Sequence, residues 1–345
     1  HLIDEEKRLA DKVRQVINLP AITKDGKSIE LLLNAGLTHG FEHSKQVGAV
    51  GIGLYRTEIP FMDRSCFPSE HEQTQLYSEV LRAFPQQMVT MRTLDVGGDK
   101  SLPYFPIVEE NPFLGWRGIR ITLDHPEVFL LQIRAMLRAS ANRNNLEIML
   151  PMISSSSEVD EAQRLINQAF YEVSSELAEQ GVKLVRPRIG IMIEVPSVIF
   201  MLKELAKKVD FFSVGSNDLT QYLLAVDRNN TRVASLYNSY HPAVLRALNY
   251  IAEQAHHSLI PLSICGELAS EPAGALLLLA MGYDKLSMNP HNIAKIKWVV
   301  RHIEYKRAKA ILSHVLTFSN DKQVHNYLNE QLEQMGLGGF VRAGM

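Results

Sequence analysis

Residues 211–230 read FFSVGSNDLTQYLLAVDRNN, and this stretch changes abruptly from apolar to polar. Its first residues form an apolar run typical of a buried β-strand, and a helical pattern follows as far as the charged pair Asp227–Arg228. The strand therefore presents an amide, Asn217, and a carboxylate, Asp218, at its carboxyl end. A strand, a polar end and a helix in this order are typical of one βα unit of a parallel sheet.

The same unit recurs along the chain, with amphipathic helical segments between most of the apolar runs. Strands that read as nearly continuous apolar runs belong to a parallel sheet that is covered on both faces. The eight candidate strands are residues 29–36, 51–57, 87–95, 146–152, 188–196, 211–216, 261–268 and 285–289.

Eight strands that alternate with helices predict an α/β fold, a closed (β/α)8 TIM barrel of about 250 residues or more. We assign residues 21–335 to this barrel, 1–20 to a helical linker and 336–345 to a C-terminal tail. The chain is longer than a minimal barrel, and the extra residues lie in two insertions, 96–128 and 227–240. The alternative is a doubly wound open sheet, but no Gly-rich dinucleotide turn follows the first strand.

Composition excludes several classes of function. A net charge of −2 and a pI near 6.7 argue against a general nucleic-acid or membrane-surface role. No apolar run reaches the roughly 18 residues of a membrane span. Two cysteines far apart, Cys66 and Cys265, suit a reducing, cytoplasmic compartment, and we interpret Cys66 as a small buried apolar residue. His256 and His257 are expected on a helix surface.

The second strand ends in Arg56, Thr57 and Glu58, and the third carries Arg92 before its loop, at the end of a strand where a barrel carries its chemistry. Arg56, Arg92 and Arg117, with Arg120 beside it, would form a local positive pocket, because guanidinium groups match the geometry of carboxylate and phosphate. The alternative is a set of structural ion pairs with the acidic residues nearby, which are Glu58, Asp95 and Asp99.

The turn that follows the third strand has the sequence LDVGGDK. Gly97 and Gly98 permit positive φ angles, and backbone N–H groups there can help to hold an anion. The alternative is that the glycine pair forms a turn without binding anything, as most such pairs do. The side chain of Lys100 either contacts a phosphate or is solvated.

Two carboxylates stand at the ends of neighbouring strands. Glu194 ends the fifth strand and Asp218 the sixth, which together predict a Mg²⁺ site, because Mg²⁺ takes one or two protein carboxylates and fills its other positions with water and substrate. The alternative interpretation is that Glu194 forms an ion pair with an arginine and binds no metal. Cys265, at the end of the seventh strand, is either a buried apolar residue or an acid or nucleophile facing the pocket.

Six segments of the chain, in order, resemble enzyme I of the bacterial phosphotransferase system, in its C-terminal phosphoenolpyruvate-binding domain. The resemblance covers almost the whole chain from about residue 21, and its finer details are most similar to the nitrogen-related paralogue. The segments are GLYRTEIPFM (53–62), RTLDVGGDK (92–100), NPFLGWRGIR (111–120), GIMIEVP (190–196), FFSVGSNDLTQYLLAVDRNN (211–230) and ICGELAS (264–270).

The resemblance implies a role for each matching residue. Arg56 and Arg92 would bind the phosphoryl group of phosphoenolpyruvate, and Cys265 would donate the proton that converts the enolate of pyruvate to pyruvate. Arg117 and Arg228 would be further arginines of the site, and Asn217 would line the substrate. Glu194 and Asp218 would hold Mg²⁺.

The resemblance also implies partners. In the family the phosphoryl group passes to a histidine on a separate N-terminal domain and then to an HPr-like phosphocarrier protein, and the C-terminal domains form homodimers. The acceptor histidine lies in a TSHAAI-like motif, and none of the 12 histidines here has that context. The nearest segment, THGFEHSK (38–45), does not match. We therefore expect this chain to bind phosphoenolpyruvate with Mg²⁺ but not to complete phosphotransfer alone.

Three alternatives remain open at this point. The barrels of pyruvate phosphate dikinase and phosphoenolpyruvate synthase share related motifs, although RTLDVGGDK fits enzyme I better. A pyruvate-enolate aldolase also uses an acidic Mg²⁺ pair, but it does not need the arginine set. A catalytically silent module that senses phosphoenolpyruvate and dimerises would bind the ligand without exchanging the methyl protons of pyruvate.

Overall fold

The computed structural model describes residues 1–36 and 48–342, and the segment THGFEHSK lies outside the described residues. Its strands follow one another in chain order around a closed barrel, and the pairings between them are parallel. The strands are β1 (Glu30–Ala35), β2 (Ile52–Arg56), β3 (Val89–Arg92), β4 (Leu146–Leu150), β5 (Arg188–Ile193), β6 (Phe211–Gly215), β7 (Leu262–Cys265) and β8 (Lys285–Met288).

The predicted TIM barrel is thus confirmed, and each strand lies within one of the eight predicted runs. The strands are shorter than the predicted runs, because the polar residues at the carboxyl ends belong to turns and helix starts. Asp95 and Glu194, for example, stand just beyond β3 and β5.

Helices connect the strands, together with short 3-10 helices. The α-helices are α1 (Leu2–Arg14), α2 (Glu58–Met62), α3 (Glu70–Ala83), α4 (Ile119–Asp124), α5 (Pro126–Ala139), α6 (Ser156–Glu179), α7 (Leu202–Leu205), α8 (Ser216–Leu224), α9 (Pro242–His257), α10 (Pro272–Met281), α11 (Pro290–Arg301), α12 (Tyr305–Val315), α13 (Asp321–Gln334) and α14 (Gly338–Arg342).

The chain divides into two compact units. Among the described residues, the terminal unit consists of residues 1–33, 48–50 and 214–342. The central unit contains Gly51–Ser213 and therefore β2 to β5.

In the central unit, α3, α5 and α6 pack side by side and are joined by a network of charges. The guanidinium of Arg134 contacts Glu70 at 2.7 Å, and Arg138 contacts the other oxygen of the same carboxylate at 3.0 Å. Both arginines also contact Glu176 on α6. The N-terminus of α3 is closed by a capping box between Ser69 and Glu72. This network ties together the helices that flank β3 and β4.

In the terminal unit, α10 is apolar around its whole circumference, and nearly all of its residues are buried. A helix with that pattern lies in the interior of a protein. The amphipathic α1 packs against α11 and α14, and Lys297 of α11 donates hydrogen bonds to the carbonyl oxygens of Ile17 and Gly48, both at 2.7 Å. None of the helices in the described residues is long and apolar enough to cross a membrane.

Candidate active site

Five charged side chains of the central unit meet beyond the ends of β2 and β3. This group, the arginine cluster, has three cations and two carboxylates, and all of them except Lys100 are nearly or fully buried. Its members are Glu58, Arg92, Asp95, Lys100 and Arg117.

Asp95 is the centre of the arginine cluster. One carboxylate oxygen, Oδ2, lies 2.8 Å from Nζ of Lys100 and 3.5 Å from Nη1 of Arg92. Oδ1 lies 3.3 Å from Nε of Arg117. Burial alone would raise the pKa of Asp95, but the positive charges of Arg117, Lys100 and Arg92 outweigh it and hold the pKa well below its usual range. Asp95 is therefore ionised at neutral pH.

Glu58 is the second carboxylate of the cluster, at the start of α2. It lies 2.7 Å from Nη2 of Arg92 and 3.6 Å from Lys100. The hydroxyl of Thr57 just before it donates a hydrogen bond to the carbonyl oxygen of Arg92 at 2.7 Å, which joins the end of β2 to the end of β3. Arg56 pairs in register with Arg92, so the structure brings these two predicted arginines to adjacent strand ends.

The insertion after β3 folds over a small apolar core of its own and so places Lys100 and Arg117. Lys100 returns toward Asp95 because Gly97, with φ +103°, makes a tight turn in which the backbone groups of residues 97 and 100 bond to each other. The core residues are Phe61, Leu94, Val96, Leu102 and Ile121.

The turn corrects one expectation. The N–H of Gly97 donates to the carbonyl oxygen of Lys100 at 2.7 Å, so that amide is used within the turn and does not face an anion. Lys100 is half-buried and paired, not solvated. Arg92 and Arg117 do form ion pairs with Asp95, whereas no ion pair involving Asp99 occurs within the described part of the chain. Whether these arginines also bind an anion is a separate question. Arg120 contacts the carbonyl oxygen of Gly115 at 2.9 Å.

Glu194 follows β5 directly, and its side chain is fully buried. Its Oε2 accepts a hydrogen bond of 2.7 Å from the backbone N–H of Met152, which lies just beyond the end of β4. Met152 itself has φ +60°, a conformation that is strained for a residue with a side chain. The backbone beyond β4 is thus shaped to present an amide to this carboxylate.

The terminal unit holds the remaining predicted residues. Asn217 and Asp218 lie in the first turn of α8, and Oδ1 of Asn217 accepts a 3.1 Å hydrogen bond from the N–H of Glu267. That bond orients the amide so that its Nδ2 is the end available to donate to a ligand. Cys265 ends β7 with 4% of its surface exposed, and its Sγ lies 3.7 Å from the carbonyl oxygen of Val214.

Arg228 lies in the insertion between α8 and α9 and is held in place by Tyr237 of the same insertion and by Glu267, which follows β7. Its Nη1 lies 3.5 Å from Glu267, and its guanidinium stacks over the ring of Tyr237 at 5.4 Å. The Tyr237 hydroxyl in turn donates to the carbonyl oxygen of Asn217 at 3.2 Å. Burial would lower the pKa of Arg228, but Tyr237, Glu267 and Asp218 raise it, so the group carries a full positive charge.

Tyr237 is a residue that sequence reasoning missed. It lies in the surplus segment 227–240, and a single aromatic residue in an insertion has no pattern that marks it as part of a site. The interpretation of Cys66 as buried is wrong, because Cys66 is exposed in the polar connection between α2 and α3. His256 and His257 are exposed on α9, as predicted.

The predicted metal ligands belong to different units, Glu194 to the central one and Asp218 to the terminal one, and their pairing stays a prediction. Within residues 1–36 and 48–342, no group of three or more histidine, cysteine, aspartate or glutamate residues is arranged to hold a metal. That finding is compatible with Mg²⁺, which needs only one or two protein carboxylates.

Gly266, next to Cys265, is required by its surroundings. It has φ +152°, and a Cβ built there would lie 2.0 Å from the Ser216 hydroxyl. We expect Gly266→Ala to destabilise the protein by about 1–3 kcal/mol, because both the backbone and the contact to α8 are strained. Urea unfolding measures the change.

The matched control is Gly336→Ala, at another positive φ (+77°) with nothing within 4 Å of the new Cβ. It carries the backbone strain without the clash and is expected to cost about 1 kcal/mol or less. Equal losses for the two variants would show that the contact with Ser216 is unimportant.

Comparisons with known proteins identify the family to which the chain belongs. The model of a family described as PEP-utilising enzyme, PEP-binding domain, matches residues 10–305. The chain is 52% identical over 346 residues to a Salmonella typhimurium protein named phosphoenolpyruvate-dependent phosphotransferase system, covering 100% of this chain and 46% of that protein. It is 41% identical over 337 residues to the phosphoenolpyruvate-protein phosphotransferase of Haemophilus influenzae, covering 97% of this chain and 57% of that protein.

The chain therefore spans about half the length of the curated relatives it matches. Among solved structures, a citrate lyase from Burkholderia xenovorans is similar, with a TM-score of 0.50 and 16% identity over 92% of this chain and 96% of that chain. This likeness concerns the fold alone.

Proposed function

Because the chain belongs to the family of PEP-utilising enzymes through their PEP-binding domain, we propose that it is the substrate-binding catalytic domain of a phosphoenolpyruvate-protein phosphotransferase. The observation that carries the proposal is the whole-chain match to relatives with that name. The arginine cluster supports it, since three cations against two carboxylates leave an excess of positive charge at strand ends, where a barrel carries its chemistry.

We propose that phosphoenolpyruvate, a small phosphorylated carboxylate, is held mainly by arginines. Arg56 and Arg92 would bind the phosphoryl oxygens, and Arg117 and Arg228 would be further arginines of the site. Guanidinium groups pair with phosphate and carboxylate through two parallel hydrogen bonds, and Asn217 would add a neutral donor from its Nδ2. The ion pairs with Asp95 and Glu58 keep Arg92 and Arg117 in place before the substrate arrives.

We propose that Glu194 and Asp218 hold Mg²⁺. The donor set fits this ion, because both ligands are hard carboxylate oxygens and two are as many as Mg²⁺ commonly takes from a protein. When bound, Mg²⁺ supplies neutralisation of the negative charge on the phosphoryl and enolate oxygens.

The reaction breaks the bond between phosphorus and the enol oxygen of phosphoenolpyruvate and forms a bond between phosphorus and a histidine nitrogen. The acceptor histidine would lie on a separate N-terminal domain of the whole protein. The released enolate takes a proton at C3 from the Cys265 thiol and becomes pyruvate, and solvent then reprotonates the thiolate. In the reverse direction the same thiolate removes a methyl proton from pyruvate.

We further propose the setting in which the whole protein works. An HPr-like phosphocarrier would receive the phosphoryl group, the working form would be a homodimer, and the system would be the nitrogen-related branch. Cys66 and Cys265 form no disulfide, which suits the cytoplasm. The alternative of a silent sensor is separated from an enzyme by the proton-exchange experiment on Cys265 in the Discussion.

Calorimetric titration of phosphoenolpyruvate with and without Mg²⁺ tests the proposed site. Binding to the wild-type chain is expected to require Mg²⁺, and Asp218→Asn is expected to weaken it by about a hundredfold, because a neutral amide replaces one of two charged ligands. Asp99→Asn is the control, since Asp99 is exposed and is expected to leave the affinity unchanged. Metal-independent binding, or full affinity in Asp218→Asn, would refute the magnesium assignment.

A further inference from the structure

A second group of arginines surrounds a cavity at the other ends of the strands of the central unit. The cavity has a volume of about 280 Å³ and lies where β4 and β5 begin, whereas Glu194 follows the carboxyl end of β5. We call it the basic pocket. Its lining residues are Met88, Ser140, Arg143, Asn144, Leu146, Val185, Arg186, Pro187 and Arg188.

The charge of the basic pocket is strongly unbalanced. Three guanidinium groups line it. One of them, that of Arg188, forms an ion pair with the carboxylate of Glu147 at 3.0 Å. Among residues 1–36 and 48–342, the contacts of the Arg186 guanidinium are the neutral amide of Gln163, at 3.5 Å, and the ring of Phe170, at 5.7 Å. The guanidinium of Arg143 makes no hydrogen bond or ion pair within the part of the chain that the structure describes. Two positive charges therefore remain without a negative counterpart.

The backbone that carries Arg143 is firmly held. The N–H of Arg143 closes a turn on the carbonyl oxygen of Ser140 at 2.9 Å. The buried amide of Asn145 donates to the carbonyl oxygens of Leu81 and Phe84 at 3.0 and 2.8 Å, which fixes the connection between α5 and β4. The arginine thus stands at the edge of the cavity on a rigid base, so less ordering is needed when a ligand binds.

On the other side of the cavity, the start of β5 is fixed in the same way. The side-chain carboxylate of Asp210 accepts a 2.8 Å hydrogen bond from the backbone N–H of Ile189, and Pro187 is buried. Arg188 is 48% exposed in its side chain, so its guanidinium is reached from solvent while one edge stays on Glu147.

We propose that the basic pocket binds a small dianion, such as a phosphate or dicarboxylate metabolite, at a site separate from the one that takes phosphoenolpyruvate. Two uncompensated guanidinium groups match the charge of a dianion, and their planar donors match its oxygens. The volume lies just below the usual range for metabolite pockets, which selects a compact molecule. Met88, Leu146 and Val185 supply an apolar wall for its carbon skeleton.

Inorganic phosphate and succinate are the probes, each titrated into the full chain at low salt and followed by amide NMR shifts of Asn144 and Arg186. We expect saturable shifts with at least one of them, and a loss of affinity of about tenfold or more in Arg143→Ala, because one of the charged donors is removed. Shifts with phosphate alone identify a tetrahedral ligand, and shifts with succinate alone identify a dicarboxylate.

The control is Arg14→Ala, which removes an exposed arginine of α1 in the terminal unit, where it pairs with Asp11 at 3.8 Å and lines no part of the basic pocket. It is expected to leave the shifts unchanged. No saturable shift with either probe, or equal affinities in wild type and Arg143→Ala, would overturn the proposal.

The two sites are separated by a pair of variants. Arg143→Ala is expected to bind phosphoenolpyruvate with Mg²⁺ like wild type. Arg228→Ala is expected to bind phosphoenolpyruvate weakly while the shifts of Asn144 persist. If phosphate shifts at Asn144 were lost in Arg228→Ala and kept in Arg143→Ala, the phosphate would be bound elsewhere, and the basic pocket would be refuted without any effect on the proposed function.

Discussion

Asp95→Asn is expected to lower the free energy of unfolding by about 3–5 kcal/mol, because it removes one partner of a buried group of ion pairs. Asp95 is fully buried and faces Arg92, Lys100 and Arg117 together. An amide of the same shape removes the negative charge and leaves three cations with Glu58 as their remaining carboxylate within the cluster. Urea unfolding at pH 7 measures the loss.

Glu161→Gln serves as the control, because it also replaces a carboxylate paired with an arginine, but on an exposed helix surface. We expect it to change the stability little, since exposed ion pairs contribute weakly. If Asp95→Asn also had a small effect, water or a rearrangement of the side chains would be compensating for the lost negative charge.

The pH dependence of this difference follows from the depressed pKa of Asp95. A carboxyl group whose pKa is lower in the folded protein stabilises it above the unfolded pKa of about 3.9, and that contribution is lost as the pH falls toward the folded value. The stability difference between wild type and Asp95→Asn is therefore expected to be constant from about pH 5 to 8 and to shrink below about pH 4. A difference that grew on acidification would contradict the assignment.

Cys265→Ala is expected to slow the exchange of the methyl protons of pyruvate with deuterium by about a hundredfold or more, in the presence of Mg²⁺. The reason is that the Cys265 thiolate is the proposed base that removes a C3 proton in the reverse direction. Proton NMR of pyruvate in deuterated buffer measures the rate, and it needs only this chain. The affinity for pyruvate, measured by calorimetry, is expected to stay close to that of wild type.

Cys66→Ala is the matched control, because Cys66 is an exposed thiol on a loop and is expected to leave the exchange unchanged. Undiminished exchange in Cys265→Ala would assign the proton transfer to another group. A wild-type chain that binds pyruvate and phosphoenolpyruvate but exchanges no protons would favour the silent sensor.

The eight strands were predictable because a parallel strand that is covered on both faces needs apolar side chains on both, and this leaves a signal within five or six residues. The strand ends were visible for a related reason. Polar groups such as Glu194 and Asp218 stand out against the apolar runs before them, and a barrel places its chemistry at those ends.

Other features depend on packing between distant segments and have no local signal. The burial of a cysteine is one example, since Cys66 and Cys265 are the same residue type and only the elements around them make one exposed and the other buried. The contact of Tyr237 with Arg228 is another, because it depends on the path of an insertion.

By itself, the sequence determined the order of strands and helices, the barrel, the residues that stand at its strand ends and the family to which the chain belongs. The tertiary structure decided how those residues share their charges. The pairing of Asp95 with Arg92, Lys100 and Arg117 arises only when the insertion after β3 folds over its apolar core. Likewise the basic pocket joins residues 143 and 186, which are distant in sequence and come together because β4 and β5 pair side by side. Local propensity acts over a few residues, whereas the partner of a charge is set by whichever distant segment the core brings next to it.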